Sequence, residues 1–241
     1  MTRPAHICGD FYSPNFDKRP KNVIDTIVLH STHLSFASSI KRLCDKVAKV
    51  SCHYLIDLDG QIYRLVEDDK RAWHAGISYW RGKSNLNNNS IGIELVDTTS
   101  KGLRLKRFPR PQMKSLIVLL KFLTKKYKIP SCNIVGHSDV APDRKDDPGE
   151  FFDWQDLANE GIGHYHSECL KSAKNSCLVD PKAKEIQIML KAYGYKIKTT
   201  GSFDGQTKDV ITAFKRHFNP AGMRNDYFGA IDLKILSYLL H

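Results

Sequence analysis

The sequence lacks several features that would at once assign it to a large class of proteins. No apolar run approaches the length needed to span a bilayer, and no apolar stretch of signal-peptide length follows Met1. The six cysteines are scattered and show no CxxC spacing, which argues against a redox motif or a cysteine-based structural zinc site. We therefore expect a soluble globular chain whose cysteines are buried free thiols rather than disulfides.

Acidic residues are too few to balance the basic ones. The 241 residues include 37 Lys and Arg against 26 Asp and Glu, a formal net charge of +11. Such an excess of positive charge predicts attraction to a polyanion. The candidates are a nucleic acid, an anionic membrane surface and a bacterial wall bearing carboxylates. Because no zinc-finger or RNP-type signature accompanies the charge, we expect no nucleic-acid partner, and salt-dependent binding to DNA would contradict this.

The densest group of chemically useful residues lies between positions 135 and 149. His137, Lys145 and Asp147 follow the apolar run 133–135 and precede a Pro-Gly pair. This pattern predicts a strand end that opens into a rigid loop. Imidazole and carboxylate groups suit zinc, and a catalytic zinc takes three protein ligands so that water can hold the fourth position. One further ligand is therefore needed.

His30 is the best candidate for that ligand, because it ends the short apolar run 26–29. Two strand ends and the loop after the second would bring His30, His137 and Asp147 to one ion. Each residue alone has a simpler interpretation, as a structural histidine or a turn-forming aspartate. Their combination favours a metal site.

Several sequence blocks carry a family resemblance. They are VLHST at 28–32, HYLIDLDG at 53–60, AWHAG at 72–76, IGIEL at 91–95 and GHSDVAPDRKDDPG at 136–149, followed by FDW at 152–154. In this order they resemble the zinc-dependent N-acetylmuramoyl-L-alanine amidases of the type-2 family, in the AmpD/AmiD branch. The resemblance covers roughly residues 20–160. It implies an α/β fold with a mixed central sheet flanked by helices, and Zn²⁺ bound by His30, His137 and Asp147.

Glu94 lies inside the otherwise apolar strand predicted at 90–96, where an unpaired carboxylate costs several kcal/mol. A salt bridge and a general base are the two explanations open from the residues alone. The resemblance favours the general base, and it implies that Lys145 faces the developing oxyanion. The implied reaction is hydrolysis of the amide between N-acetylmuramic acid, or its anhydro form, and L-alanine of peptidoglycan or muropeptides, in wall turnover or recycling. A non-catalytic peptidoglycan receptor on the same fold is the alternative.

Three further residues are candidates for substrate binding. Trp73 and His74 offer an aromatic face and an imidazole that would stack on a sugar or polarise the substrate, although a loop plug with a buried Trp fits equally well. Asn88 lies in the polar loop 85–89. His53 is a fourth metal candidate, but we expect a structural role because the resemblance places the ligands elsewhere.

Helical spacing of apolar residues predicts helices at 35–50 and 111–127 and another that begins at 152, and a hairpin is predicted across 52–66. Residues 164–180 shift in composition and are interpreted as a linker. The segments IQIMLKAYGY at 186–195 and GSFDGQTKDVITAF at 201–214 resemble a small three-helix peptidoglycan-binding domain. We thus expect a catalytic domain at 1–163 and a helical wall-binding domain at 181–241, with a homodimerisation unit as the alternative.

This domain order bears on the cellular compartment and on the role of residues 181–241, which form the tail of the chain. An appended wall-binding domain indicates the bacterial cell envelope, in the periplasm, whereas the missing signal and scattered thiols indicate the cytoplasm. Every proposed ligand and catalytic group lies before residue 150. We therefore expect the tail to concentrate the enzyme on polymer without contributing to the chemistry.

Overall fold

The computed structural model describes residues 7–103, 105, 107–165, 182–224 and 227–241. The predicted linker at 164–180 lies, beyond Tyr165, outside these ranges. Within them, no helix combines the length and apolar content needed to cross a bilayer.

A six-stranded mixed sheet forms the centre of the protein, as predicted. The strand order across the sheet is β1 (Ile7–Cys8), β5 (Ile62–Arg64), β4 (Tyr54–Ile56), β9 (Ser90–Leu95), β3 (Thr26–Ser31) and β10 (Ile134–Gly136). The last four of these strands are parallel neighbours, whereas β5 pairs antiparallel with β4 in the expected hairpin and β1 pairs parallel with β5. Two small antiparallel ribbons pair β2 (Phe16–Lys18) with β6 (Lys70–Ala72), and β7 (Tyr79–Trp80) with β8 (Lys83–Ser84).

Seven α-helices occur in the described ranges. They are α1 (Phe36–Cys44), α2 (Arg110–Tyr127), α3 (His137–Val140), α4 (Trp154–Asn159), α5 (Ala183–Tyr193), α6 (Gly205–Phe218) and α7 (Ala230–Leu239). α1 is shorter than its predicted range because Asp45 takes an extended backbone conformation and its side chain accepts a hydrogen bond from the backbone N–H of Val47, starting a separate 3₁₀ turn. 

The stretch after β10 also differs from the prediction of a loop. It begins with the one-turn helix α3, because the Asp139 carboxylate accepts a hydrogen bond from the backbone N–H of Gly136 at 2.8 Å and so closes the first turn.

Both faces of the sheet are covered. Successive side chains of β3 point to opposite faces, so Ile27 and Leu29 pack in one core with α2, as the helical periodicity predicted. Val28 faces the other way and belongs to a second core built largely by α5, α6 and α7. The tail therefore packs directly against the sheet.

The contact between tail and sheet is broad. Its apolar part on the sheet side consists of Val28, Ala75, Trp80, Leu86, Val135 and Val140. Its polar part includes Arg81, whose guanidinium donates to the carbonyl of Tyr193 and whose backbone N–H donates to the carbonyl of Gly194 at 3.0 Å. Gly194 has φ +146°, and a Cβ there would meet the Arg81 side chain at 2.6 Å, so this close approach requires glycine.

Candidate metal centre

Parallel strands bring the predicted site residues to one edge of the sheet. β3 lies between β9 and β10, and its His30 pairs in register with Glu94 of β9. β10 ends at Gly136, and His137 begins α3 immediately afterwards. Because the carboxyl ends of parallel strands lie together, residues that are 107 positions apart become neighbours.

Three ligand-type atoms converge at this edge. Nδ1 of His30 lies 3.0 Å from Nδ1 of His137 and 3.0 Å from Oδ2 of Asp147, and Nδ1 of His137 lies 3.1 Å from the same oxygen. All three residues are buried. Within the described ranges, this is the one group of three or more His, Cys, Asp or Glu side chains whose ligand atoms converge in this way.

The hydrogen-bond partner of His137 fixes which ring nitrogen carries its proton. Nε2 of His137 lies 3.2 Å from the backbone carbonyl oxygen of Ala75. A carbonyl oxygen can only accept, so in the neutral imidazole the hydrogen is on Nε2. Nδ1 of His137 therefore presents a lone pair to His30 and Asp147.

A longer chain of hydrogen bonds gives the same result for His30. The Ser90 hydroxyl donates to the carbonyl of Leu86 at 2.6 Å, so its oxygen can accept from Nε2 of His74 at 3.1 Å. Nδ1 of His74 is then the acceptor for Nε2 of His30 at 3.0 Å. With its hydrogen on Nε2, His30 also presents a bare Nδ1 to the centre of the group.

The centre is thus formed by three acceptors that face one another with no hydrogen between them. Two imidazole lone pairs and a carboxylate oxygen at such distances repel one another unless a cation lies among them. Their types are those of a zinc site, and the spacing suits one ion at ~2.0–2.2 Å from each atom. The residues present therefore fit a metal ion.

Burial keeps His30 and its hydrogen-bond partner His74 in the neutral form. Loss of solvent, followed by the neighbouring His137, lowers the pKa of His30 to about 4. Burial, followed by the neighbouring His30, holds the pKa of His74 well below its usual range. Neutral imidazoles at neutral pH are consistent with the hydrogen-bond directions described above.

Glu94 faces the same pocket without a compensating partner. Its Oε2 atom is buried and accepts no hydrogen bond from the described residues. Burial and then the charge of Asp147 raise the pKa of Glu94 to about 8, and the cationic Lys145 opposes this rise. The salt bridge that the sequence left open is therefore absent from the described structure, and a cation beside Asp147 would lower this pKa again.

These groups line a cavity of about 430 Å³. Lys145, predicted near the oxyanion, lines it together with His30, Glu94, His137 and Asp147. Arg42 and Arg144, which the sequence analysis did not select, add two more cationic groups. Asp146 also lines the cavity, so its wall combines three cationic side chains with the three carboxylates of Glu94, Asp146 and Asp147.

The predicted substrate-binding residues lie in different places. Trp73 lines the cavity. His74 also lines it, but its two ring nitrogens already contact Nε2 of His30 and the hydroxyl of Ser90. Asn88 is not among the lining residues, and its side-chain oxygen accepts from Arg71 at 2.9 Å. Asn87 instead holds the loop, accepting from the backbone N–H groups of His74 at 3.1 Å and Ala75 at 2.8 Å.

His53 lies outside the converging group. Its Nδ1 accepts from the backbone N–H of Gly92 at 3.0 Å, and its Nε2 lies 2.8 Å from the Arg19 guanidinium and 3.1 Å from the Lys70 carbonyl. These contacts agree with a structural role.

A larger cavity of about 720 Å³, lined by Phe108, Trp154 and Pro220 among others, contains none of the three converging residues, so the chemistry places the site in the smaller cavity.

Comparison with known proteins identifies two regions. Residues 19–150 match the N-acetylmuramoyl-L-alanine amidase family, and residues 179–221 match a peptidoglycan binding domain. The chain is 38% identical over 213 residues to the N-acetylmuramoyl-L-alanine amidase AmiD of Escherichia coli, covering 82% of this chain and 75% of AmiD. It is 36% identical over 168 residues to the 1,6-anhydro-N-acetylmuramyl-L-alanine amidase AmpD of Haemophilus influenzae, covering 61% of this chain and 89% of AmpD.

Solved structures agree with these matches. AmiD from E. coli, in complex with the substrate anhydro-N-acetylmuramic acid-L-Ala-D-γ-Glu-L-Lys, superposes with a TM-score of 0.79 at 36% identity, over 90% of this chain and 88% of that one. AmpDh3 from Pseudomonas aeruginosa, in complex with an anhydromuramic pentapeptide, gives a TM-score of 0.77 at 28% identity, over 98% of this chain and 96% of that one.

Proposed function

The chain belongs to the N-acetylmuramoyl-L-alanine amidase family, and from this membership we propose that it hydrolyses the amide between N-acetylmuramic acid and L-alanine with the help of one zinc ion. The observation that carries the proposal is the set of three mutually facing acceptors on His30, His137 and Asp147. They lie in the same pocket as the unpartnered carboxylate of Glu94.

His30, His137 and Asp147 would hold the zinc ion. When bound, zinc acts as a Lewis acid that makes water more acidic and polarises the scissile carbonyl. The protein's own contribution is to fix the three ligand atoms. The carbonyl of Ala75 orients His137, and the chain through His74 and Ser90 orients His30. Such outer partners set the tautomer and direction of a ligand ring.

Glu94 is the proposed general base. Its buried Oε2 would take a proton from the attacking water and later deliver it to the leaving amine of L-alanine. Burial raises the pKa of Glu94, and a zinc ion beside Asp147 would lower it again, so Glu94 would be ionised and able to accept a proton in the metal-loaded protein.

Lys145 is the proposed stabiliser of the developing oxyanion. It lines the pocket two residues before Asp147, and its charge is close enough to act on Glu94. A fixed cation opposite the carbonyl oxygen stabilises the transition state more than the ground state, by about 3 kcal/mol in comparable cases. Trp73 lines the same cavity and would contact the sugar or the peptide.

The proposed substrates are muropeptides, including those with an anhydro sugar, and the peptidoglycan polymer. The first is supported by the anhydromuramyl ligands of the AmiD and AmpDh3 structures, and the second by the peptidoglycan-binding match at 179–221. The basic side chains of Arg42, Arg144 and Lys145 suit the carboxylates of a stem peptide. We propose the bacterial cell envelope as the compartment, since the polymer is there.

The test is to digest purified sacculi and soluble anhydromuropeptides side by side and to identify the products by mass spectrometry. The proposal expects free stem peptides that begin with L-alanine, and no such product after the metal has been removed by a chelator. Binding of either substrate without any release of stem peptide would instead support the non-catalytic receptor.

A further inference from the structure

Asp139 has a buried carboxylate that forms hydrogen bonds both with its own turn and with the tail. Its Oδ2 accepts from the backbone N–H of Gly136 at 2.8 Å and lies 2.7 Å from Nδ1 of His217, and its Oδ1 accepts from the Tyr195 hydroxyl at 2.7 Å. Asp139, Tyr195 and His217 are 1%, 1% and 3% exposed. Because a buried carboxylate needs several donors, all three contacts contribute to its placement.

The carboxylate holds the backbone that presents two of the proposed ligands. Its bond to Gly136 closes the turn in which His137 is the first helical residue. The next residue, Ser138, donates its backbone N–H to the carbonyl of Asp147 at 3.0 Å. The turn that Asp139 stabilises therefore fixes both His137 and the backbone of Asp147.

The two side chains that bind Asp139 come from the tail and are themselves held firmly. The His217 ring of α6 stacks on Trp154 with ring centroids 3.6 Å apart. The Tyr195 ring, just after α5, packs edge-on against Trp80 with centroids 5.0 Å apart. Trp154 and Trp80, which precede the tail in the sequence, thus hold both side chains in place.

We propose that the tail is part of the metal centre, with Tyr195 and His217 acting through Asp139 as positioning residues for His137 and Asp147. The inference rests on the metal site proposed above. It differs from the expectation of a tail that only concentrates the enzyme on polymer. Deleting the tail cannot test it, because deletion would also expose the apolar residues around Val28 and Val135. Point variants of the full chain are needed.

Tyr195→Phe and Tyr193→Phe form a matched pair. Both tyrosines are buried in the same core, and each variant loses one hydroxyl. The hydroxyl of Tyr193 lies 3.3 Å from Nδ1 of His164, so its loss leaves Asp139 untouched. We expect Tyr195→Phe to bind zinc on the order of tenfold more weakly in competition with a chelator. We expect it also to shift the visible absorption bands of the cobalt(II)-substituted protein, whereas Tyr193→Phe matches the wild type in both.

A second pair tests the other donor. His217→Asn keeps an N–H donor near the position of Nδ1 and should retain most of the zinc affinity. His217→Leu has no such donor and should bind zinc more weakly than His217→Asn. Equal affinities and equal cobalt spectra in wild type, Tyr195→Phe and His217→Leu, with thermal unfolding confirming folded proteins, would overturn the inference. If His217→Leu does not fold, the tyrosine pair alone decides. If the wild type binds no zinc, the proposed function itself fails, which is a different result.

Discussion

Nε2 of His30 lies 3.0 Å from Nδ1 of His74, and the far nitrogen of His74 lies 3.1 Å from the hydroxyl of Ser90. The contact depends on Gly92, since a Cβ at that position would meet the His74 ring at 2.4 Å. His74 therefore lies between a strand backbone and a proposed zinc ligand. We therefore expect His74 to orient His30 rather than to bind substrate.

From this contact we predict that His74→Ala weakens zinc binding by about 10–100-fold, because His30 loses the acceptor that fixes its tautomer and ring direction. Ser90→Ala should act in the same direction with a smaller effect. Chelator competition measures both. His33→Ala is the control, since His33 lines the same pocket and is not a partner of His30. Equal zinc affinities in His74→Ala and His33→Ala would remove His74 from this role.

Glu94→Gln and Lys145→Met should keep stoichiometric zinc but lose turnover, each on the order of a hundredfold or more. Glutamine keeps the shape of the side chain but cannot accept the proton, and methionine keeps much of the lysine stem but has no charge. Steady-state kinetics on a soluble muropeptide, with metal analysis of the same samples, measures the effect. A near-normal rate in a zinc-loaded variant would exclude that residue from the mechanism.

The pH dependence of stability should include a contribution from His53, beside those of the buried His30 and His74. Burial, followed by the Arg19 cation, lowers the pKa of His53 to about 3, whereas an unfolded histidine titrates near 6.5. The unfolded state therefore takes up the proton first. The stabilisation is complete above pH 6.5 and is lost progressively as the pH falls toward 3, by up to several kcal/mol in order of magnitude.

His53→Asn isolates this effect, because asparagine retains an acceptor for the N–H of Gly92 but does not titrate. The variant should be less stable than the wild type at pH 8, where it lacks the packing of the ring. The gap in free energy of unfolding should then narrow as the pH is lowered to 4. Urea unfolding of both metal-free proteins at several pH values measures the gap, and a gap that stays constant or widens contradicts the assignment.

The local part of the site was predictable from the sequence. The apolar runs that end at His30 and precede His137 have strand character. If such strands are parallel neighbours, the polar residues at their carboxyl ends lie close together and can form a binding site. The long helix α2 was also predictable, because its apolar residues repeat with helical spacing over five turns. The four-residue α3 was not, since one turn is too short to show a period.

The contacts between distant segments could not be predicted. Asp139 meets Tyr195 and His217 across 56 and 78 positions, and no local pattern encodes such pairs. One signal was available for the docking of the tail. The continuous apolar run through Ile27, Val28 and Leu29 is typical of a strand buried on both faces, and such a strand needs a second cover besides α2. The tail supplies it.

The central claim is that His30, His137 and Asp147 bind one zinc ion, and metal analysis of purified wild type and Asp147→Ala tests it most directly. The account predicts close to one zinc per chain in the wild type. It predicts far less in the variant, which should stay folded by circular dichroism and be inactive on a soluble muropeptide. A folded Asp147→Ala protein that retains one zinc per chain would contradict the proposed centre.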